Sequence, residues 1–259
     1  LLSHQKALKL RQEVFAAKPS VENSMTVALS HQNIGNAQLT SGRLSEARDH
    51  YVLALDALKS ANALEPENLE VRRQVARSYS MVGQATVRSG SLTAALSYYE
   101  KSLDSFRSLR DAVPENIRYL RSYGIVLSYI AFVKKEMGNA KDAVSDYEKW
   151  LDIERQLVVK EPDNVEFKHD LSGAYTWLGV ALAEIGDIAR AKQSFEEAIK
   201  IQAGVLAADK ENLAELYSLA DSQLEYGKAM AKKGVTNIAI ENLEKALAAY
   251  RKVWQTDKQ

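Results

Sequence analysis

Residues 162–209 read PDNVEFKHDLSGAYTWLGVALAEIGDIARAKQSFEEAIKIQAGVLAAD. Pro162-Asp163-Asn164 makes a turn, with Asn164 placed to cap a helix and Glu166 favourable in its first turn. Apolar residues then recur at Val165, Leu171, Tyr175, Leu178 and Leu182, a helical and not a strand period. Gly186 is predicted to stop that helix in the left-handed conformation. A second amphipathic run follows through Ile188, Ala191, Phe195, Ala198, Ile199 and Ile201 to Leu206. Two helices of about 20 residues, each about 30 Å long, are expected from this one stretch.

The stretch recurs. Gly42, Gly90, Gly138, Gly186 and Gly234 are spaced 48 residues apart without a slip. Seven residues before each lie Gly35, Gly83, Ala131, Gly179 and Gly227, and five after each lie Ala47, Ala95, Ala143, Ala191 and Ala239. Tyr51, Tyr99, Tyr147, Phe195 and Leu243 form an aromatic or apolar column, and Pro66, Pro114 and Pro162 keep the same grid, with Lys210 in place of a fourth proline. The small columns mark close approach of two backbones. The aromatic column is read as core packing between neighbouring helix pairs. The whole chain is therefore an internal repeat.

The string Tyr175-x2-Leu178-Gly179, Gly186, Ala191-x3-Phe195-x2-Ala198 and a later proline resembles the tetratricopeptide repeat (TPR), and Tyr79-x2-Val82-Gly83, Gly90, Ala95-x3-Tyr99 repeats it. His31, Ala131 and Trp150 depart from the pattern, as does the period of 48 against about 34 in the family. The excess is about seven residues in each helix, two turns that preserve the helical phase to within about 20°. The resemblance implies an all-α, right-handed α-solenoid of helix-turn-helix repeats with about eleven helices. Its units are read as 19–65, 66–113, 114–161, 162–209 and 210–257. Residues 1–18 are read as the second helix of a truncated preceding repeat, which makes the chain a fragment of a larger protein. At the other end Tyr250, Val253 and Trp254 finish the fifth unit, with Trp254 either exposed or packed on a second molecule.

Composition narrows the function. The 259 residues carry 34 Lys+Arg and 34 Asp+Glu, a net charge of zero, with 46% hydrophobic residues, four prolines and no cysteine. A neutral chain has no electrostatic footprint for nucleic acid. Without cysteine there is no disulfide framework, thiolate metal site or thiol nucleophile. No Gly-rich loop precedes a Lys-Ser/Thr pair, so no phosphate cradle is written here. His4, His31, His50 and His169 lie on different repeats or helices, none with a histidine at i+4. His31 stands in the packing column and is read as structural. The apolar run 124–133, flanked by Arg121 and Lys134, is too short to span a bilayer. The reading is non-catalytic, with no cofactor, no metal and no nucleic acid or membrane partner.

What the resemblance implies instead is peptide or protein binding, in a concave groove lined by the first helix of each unit. The groove-facing columns hold Asn36, Arg77, Ser80, Met81, Gln84, Arg88, Ile125, Tyr129 and Phe132, with Trp177, Glu184, Lys228 and Lys232 further on. One turn earlier the same face presents Met25, Arg73, Arg121, His169 and Tyr217. Tyr129, Phe132 and Trp177 make an aromatic floor, and Arg73, Arg77, Arg121 and His169 a basic strip, suited to an acidic or phosphorylated peptide. The same rings are equally core if neighbouring first helices close over them. The lysine clamp of chaperone-binding relatives is absent, since Gln32 and Gly173 stand where its lysines belong.

Arrays of this 48-residue period resemble those on the C-terminal side of bacterial serine/threonine kinases. The turn Glu-Pro-Glu/Asp-Asn, followed by Arg72-Arg73 or by Arg118 and Arg121, carries that likeness. It implies a cytoplasmic segment that recruits substrates or senses a ligand. The alternatives are a stand-alone peptide-responsive regulator, and a scaffold that forms homodimers through its uncapped ends.

Overall fold

A computed structural model describes residues 2–256, with side chains from residue 6 onward, so His4 and the end of the fifth unit lie outside the described side chains. Among the described residues there are eleven helices and no strand. They are α1 (Leu2–Ala17), α2 (Val21–Thr40), α3 (Leu44–Leu64), α4 (Leu69–Arg88), α5 (Leu92–Ala112), α6 (Ile117–Glu136), α7 (Ala140–Lys160), α8 (Val165–Ile185), α9 (Ile188–Ala208), α10 (Leu213–Lys232) and α11 (Thr236–Thr256). From α2 onward each has 20 or 21 residues, the length that two added turns per helix require.

Local chemistry sets the helix ends. Asn68, Asn116, Asn164 and Asn212 stand on the repeat grid, and each side-chain oxygen accepts from backbone N–H groups of the next helix's first turn. These are donors that a helix start otherwise leaves unsatisfied. Glu70, Glu166 and Glu215 add the negative charge that a helix N-terminus favours. At the other end Gly186 caps α8 at φ 89°, and its N–H bonds back to Leu182 and Ala183. The grid glycines Gly42, Gly90, Gly138 and Gly234 share that positive φ.

Packing follows the columns. An added Cβ on Gly83 would stand 2.7 Å from the Tyr99 ring, and one on Gly179 would stand 3.0 Å from Phe195. In α2, α4 and α8 the glycine is thus the seat of the ring on the helix after it, whereas α6 carries Ala131 at this position and Gly227 of α10 meets Leu243. Tyr51, Tyr99, Tyr147 and Phe195 are all buried. The rings also reach the next pair, since Tyr99 meets Tyr129 at 5.3 Å between centroids and Phe195 stacks on Tyr226 at 4.7 Å. The expected core role holds for these four residues, while Leu243, the fifth of the column, is exposed.

The chain divides into two compact units, 1–133 and 134–259. The first is centred on Tyr99, Phe106, Leu109, Val126 and Ile130, with a second cluster of Tyr51, Leu55, Val82 and Ala85. The second unit buries Trp150, Leu157, Phe167, Leu182, Phe195 and Met230. Trp150, which breaks the small-residue pattern, packs beside Gly173, where an added Cβ would lie 3.7 Å from the indole. Its indole N–H donates to the buried carboxylate of Glu154 at 2.7 Å.

Candidate functional site

Helix α4 supplies the wall of a cleft in the first unit. Arg73, Arg77, Ser80, Met81, Gln84 and Arg88 recur every three or four residues, so they share one face. Elsewhere on the helix Val71, Ala76 and Val82 are buried. Across from α4 stand Asn36 and Leu39 of α2, and Ser122, Ile125 and Tyr129 of α6; Tyr51 and Phe106 close the cleft from below. It encloses about 490 Å³. Three arginines and no acidic residue line it.

The arginines are not equivalent. Arg73 grips Glu70 with two hydrogen bonds, 2.8 and 2.6 Å. Those bonds hold the Glu70 carboxyl below its ordinary range and raise the guanidinium above its own. Arg77 and Arg88 are exposed and make no ion pair among the described residues, so their charge faces the cleft. The Tyr51 hydroxyl donates to Asn36 Oδ1 at 2.6 Å, which leaves the Asn36 amide N–H groups as donors toward the cleft. Burial pushes the Tyr51 phenol pKa up, so it stays a donor at neutral pH.

The predicted residues separate. Arg73, Arg77 and Tyr129 are brought together in this cleft. Tyr129 is half-buried, at once cleft wall and neighbour of Tyr99. Phe132 packs against the core of the first unit and is not among the cleft's lining side chains. Arg121 is engaged with a partner and is also outside the lining.

Trp177 and His169 belong to the second unit. Trp177 is half-buried on α8, beside Thr176, whose hydroxyl bonds Ser222 at 2.9 Å. His169 Nδ1 lies 3.3 Å from Glu215 Oε2 and 3.4 Å from Ser218 Oγ. Serine, histidine and acid therefore meet, but on one ring nitrogen. A nucleophilic triad needs the acid on one nitrogen and the serine on the other. The second unit also has a cleft of about 310 Å³, where Lys228, Lys232 and Lys233 stand with Glu184 and Glu225. Lys228 pairs with Glu225 at 2.8 Å, so its charges are largely matched internally.

A further cleft of about 560 Å³ lies in the first unit between α2 and α4, lined by Val21, Met25, Leu29 and Leu58, with Glu22 and Glu65 at its rim and Arg77 shared with the arginine cleft. Sequence reading missed Leu29. Its signal was there: it occupies the grid position of Arg77 and Ile125, a groove column, and is apolar and 49% exposed.

Among the described residues no helix is long and apolar enough to cross a membrane. A family model described as "Tetratricopeptide repeat" matches residues 172–204. No curated relative matches the sequence significantly. Among solved structures, BtubC (BKLC) from P. vanneervenii superposes with a TM-score of 0.71 at 15% identity, over 97% of this chain and 89% of that one. The apo form of RapI gives 0.66 at 15% identity, over 96% of this chain but only 60% of RapI. TPR-like repeats of a putative kinesin light chain from Podosopora anserina give 0.50 at 19% identity, over 87% and 95%. At these identities the likeness is one of fold.

Proposed function

We propose that this chain of tetratricopeptide repeats is a non-catalytic interaction module that holds a protein or peptide partner in the arginine cleft of its first unit. The repeat scaffold suits protein interaction. The observation that carries the finer reading is the pair Arg77 and Arg88, two exposed guanidiniums with no ion pair among the described residues, set in a cleft that no acidic residue lines. Such groups bind carboxylate or phosphate with charge-assisted hydrogen bonds. Tyr129 and Met81 supply the adjacent apolar surface.

The period of 48 and the Glu-Pro-Glu/Asp-Asn turns support placing the module in a larger protein such as a bacterial serine/threonine kinase. The gene surrounding this segment tests that: a frame without a kinase domain removes it. The cleft is tested by reversing Arg77→Glu and Arg88→Glu together. Both side chains are exposed, so the helical circular dichroism should be unchanged while partner capture is lost. Capture that persists in the folded variant rules the cleft out.

A second reading, self-association through α11, is favoured by exposed Ile240, Leu247 and Trp254 (the last 62% exposed) along one helix. Sedimentation that shows a monomer at every concentration would remove it.

A further inference from the structure

We infer that the segment held by the first unit is an extended peptide with one aliphatic side chain and, beyond it, two anionic side chains about five residues apart. The inference rests on the cleft reading above and adds the chemistry of its ligand.

The spacing comes from α4. Arg77 and Arg88 are eleven positions apart, three helical turns with a phase error of about 20°, so both point the same way about 16 Å apart. An extended chain advances about 3.3 Å per residue, and the gap is covered in about five residues. Arg73 is already occupied by Glu70, which leaves Arg77 and Arg88 as the two anion anchors. Between them Gln84 and the Asn36 amide offer donors to the peptide's own carbonyls.

The aliphatic position comes from the neighbouring cleft. It meets the arginine cleft at Arg77, its wall is Val21, Met25 and Leu29, and its rim carries Glu22 and Glu65. Those two carboxylates repel an acidic side chain from the apolar cleft, while no acid opposes one beside Arg88. Charge therefore fixes the order of the ligand: aliphatic residue, anion at Arg77, anion at Arg88. A nucleic acid strand would use the charge but carries no aliphatic side chain for the Leu29 cleft.

The test is fluorescence anisotropy with a labelled Ser/Gly-rich peptide bearing one leucine and two glutamates at the stated spacing. Replacing both glutamates by glutamine should weaken binding at least tenfold, and placing them side by side should weaken it about tenfold. A phosphoserine version distinguishes phosphate from carboxylate; tighter binding of either anion supports the inference, provided the glutamine peptide stays weak. Exchanging the leucine for serine should weaken binding about tenfold on the native chain but have little effect on Leu29→Ser. The inference is overturned if the side-by-side peptide or an oligothymidylate of equal charge binds as tightly. It is overturned equally if the leucine effect survives in Leu29→Ser. Should no peptide bind while Arg77→Glu with Arg88→Glu still abolishes partner capture, the ligand chemistry is wrong and the cleft stands. Should that double variant change neither readout, both fall.

Discussion

A glycine under a ring is a contact with a sign that can be worked out in advance. At Gly83 a Cβ would meet three atoms of Tyr99 at 3.0 Å or less, and the ring is itself buried. Gly83→Ala should therefore cost about 1–3 kcal/mol, read as a lower urea midpoint. Gly173 is also inside a helix, but its nearest neighbour would be at ordinary van der Waals distance. Gly173→Ala should be neutral or should stabilise by up to about 1 kcal/mol. His31 offers a pH test. Its Nδ1 lies 2.9 Å from His50 Nδ1, so one ring donates and the other, which must be neutral, accepts. Burial first, then the His50 charge, lowers the His31 pKa from 6.5 to about 4; His50 is lowered by burial, against the raising pull of Asp49 and Glu46. In the unfolded chain His31 takes up its proton below pH 6.5, while in the folded chain it resists until about pH 4. Stability from this site is thus full above pH 6.5 and is lost as pH falls, about 2 kcal/mol between pH 7 and pH 5. His31→Tyr, the residue found at Tyr79 and Tyr175 of the same column, should flatten that dependence in thermal scans.

At the scale of the element, the asparagine caps decide where α4, α6, α8 and α10 begin, and Ser20 does the same for α2. Asn164 accepts from Glu166 N–H at 3.0 Å and Phe167 N–H at 3.3 Å, so Asn164→Ala should cost about 1 kcal/mol, and Asn164→Asp should retain most of the cap. Helix starts, stops and lengths were legible because one residue type at one spacing sets each of them. The site was legible in part. Repeat columns identified α4 as a groove wall and put Arg73 and Arg77 on it. They did not separate Tyr129 from Phe132, three residues on, because covering by a neighbour depends on side chains from other helices. The same reason hid the Trp150–Gly173 fit and the His31–His50 pair, which join positions 23 and 19 residues apart in no fixed repeat relation. The Leu29 cleft was readable and was passed over because an apolar residue in a helix suggests core.

Across the whole molecule, charge balance and charge placement are different things. The net charge is zero, and several of the ion pairs described are exposed neighbours three residues apart, such as Arg43–Glu46, Lys59–Asp56 and Arg107–Asp104. Each contributes little to folding. The thermal midpoint should consequently move little as sodium chloride rises from about 0.1 M to about 1 M, where the screening length falls from about 10 Å to about 3 Å. Affinity for an acidic peptide, carried by Arg77 and Arg88, should fall at least tenfold over the same range. Calorimetry and anisotropy on one sample separate the two. Bonds between helices are also short in sequence: Thr176–Ser222 and Lys233–Glu184 span 46 and 49 residues, about one repeat.

The five turn glycines carry one more consequence, and it concerns handedness. Gly186 has φ 89° with nothing within 4 Å of where a Cβ would stand. The objection to a side chain there is entirely one of chirality. An L-alanine at Gly186 is strained by about 1–2 kcal/mol, whereas its mirror image has this φ as its natural state and meets open space. D-Alanine, introduced by peptide ligation, should stabilise the chain by about 0.4–1 kcal/mol by restricting only the unfolded state. The repeat thus contains, once per unit, a joint at which a polypeptide of L-residues would be better served by a D-residue, and glycine is the compromise open to ribosomal synthesis.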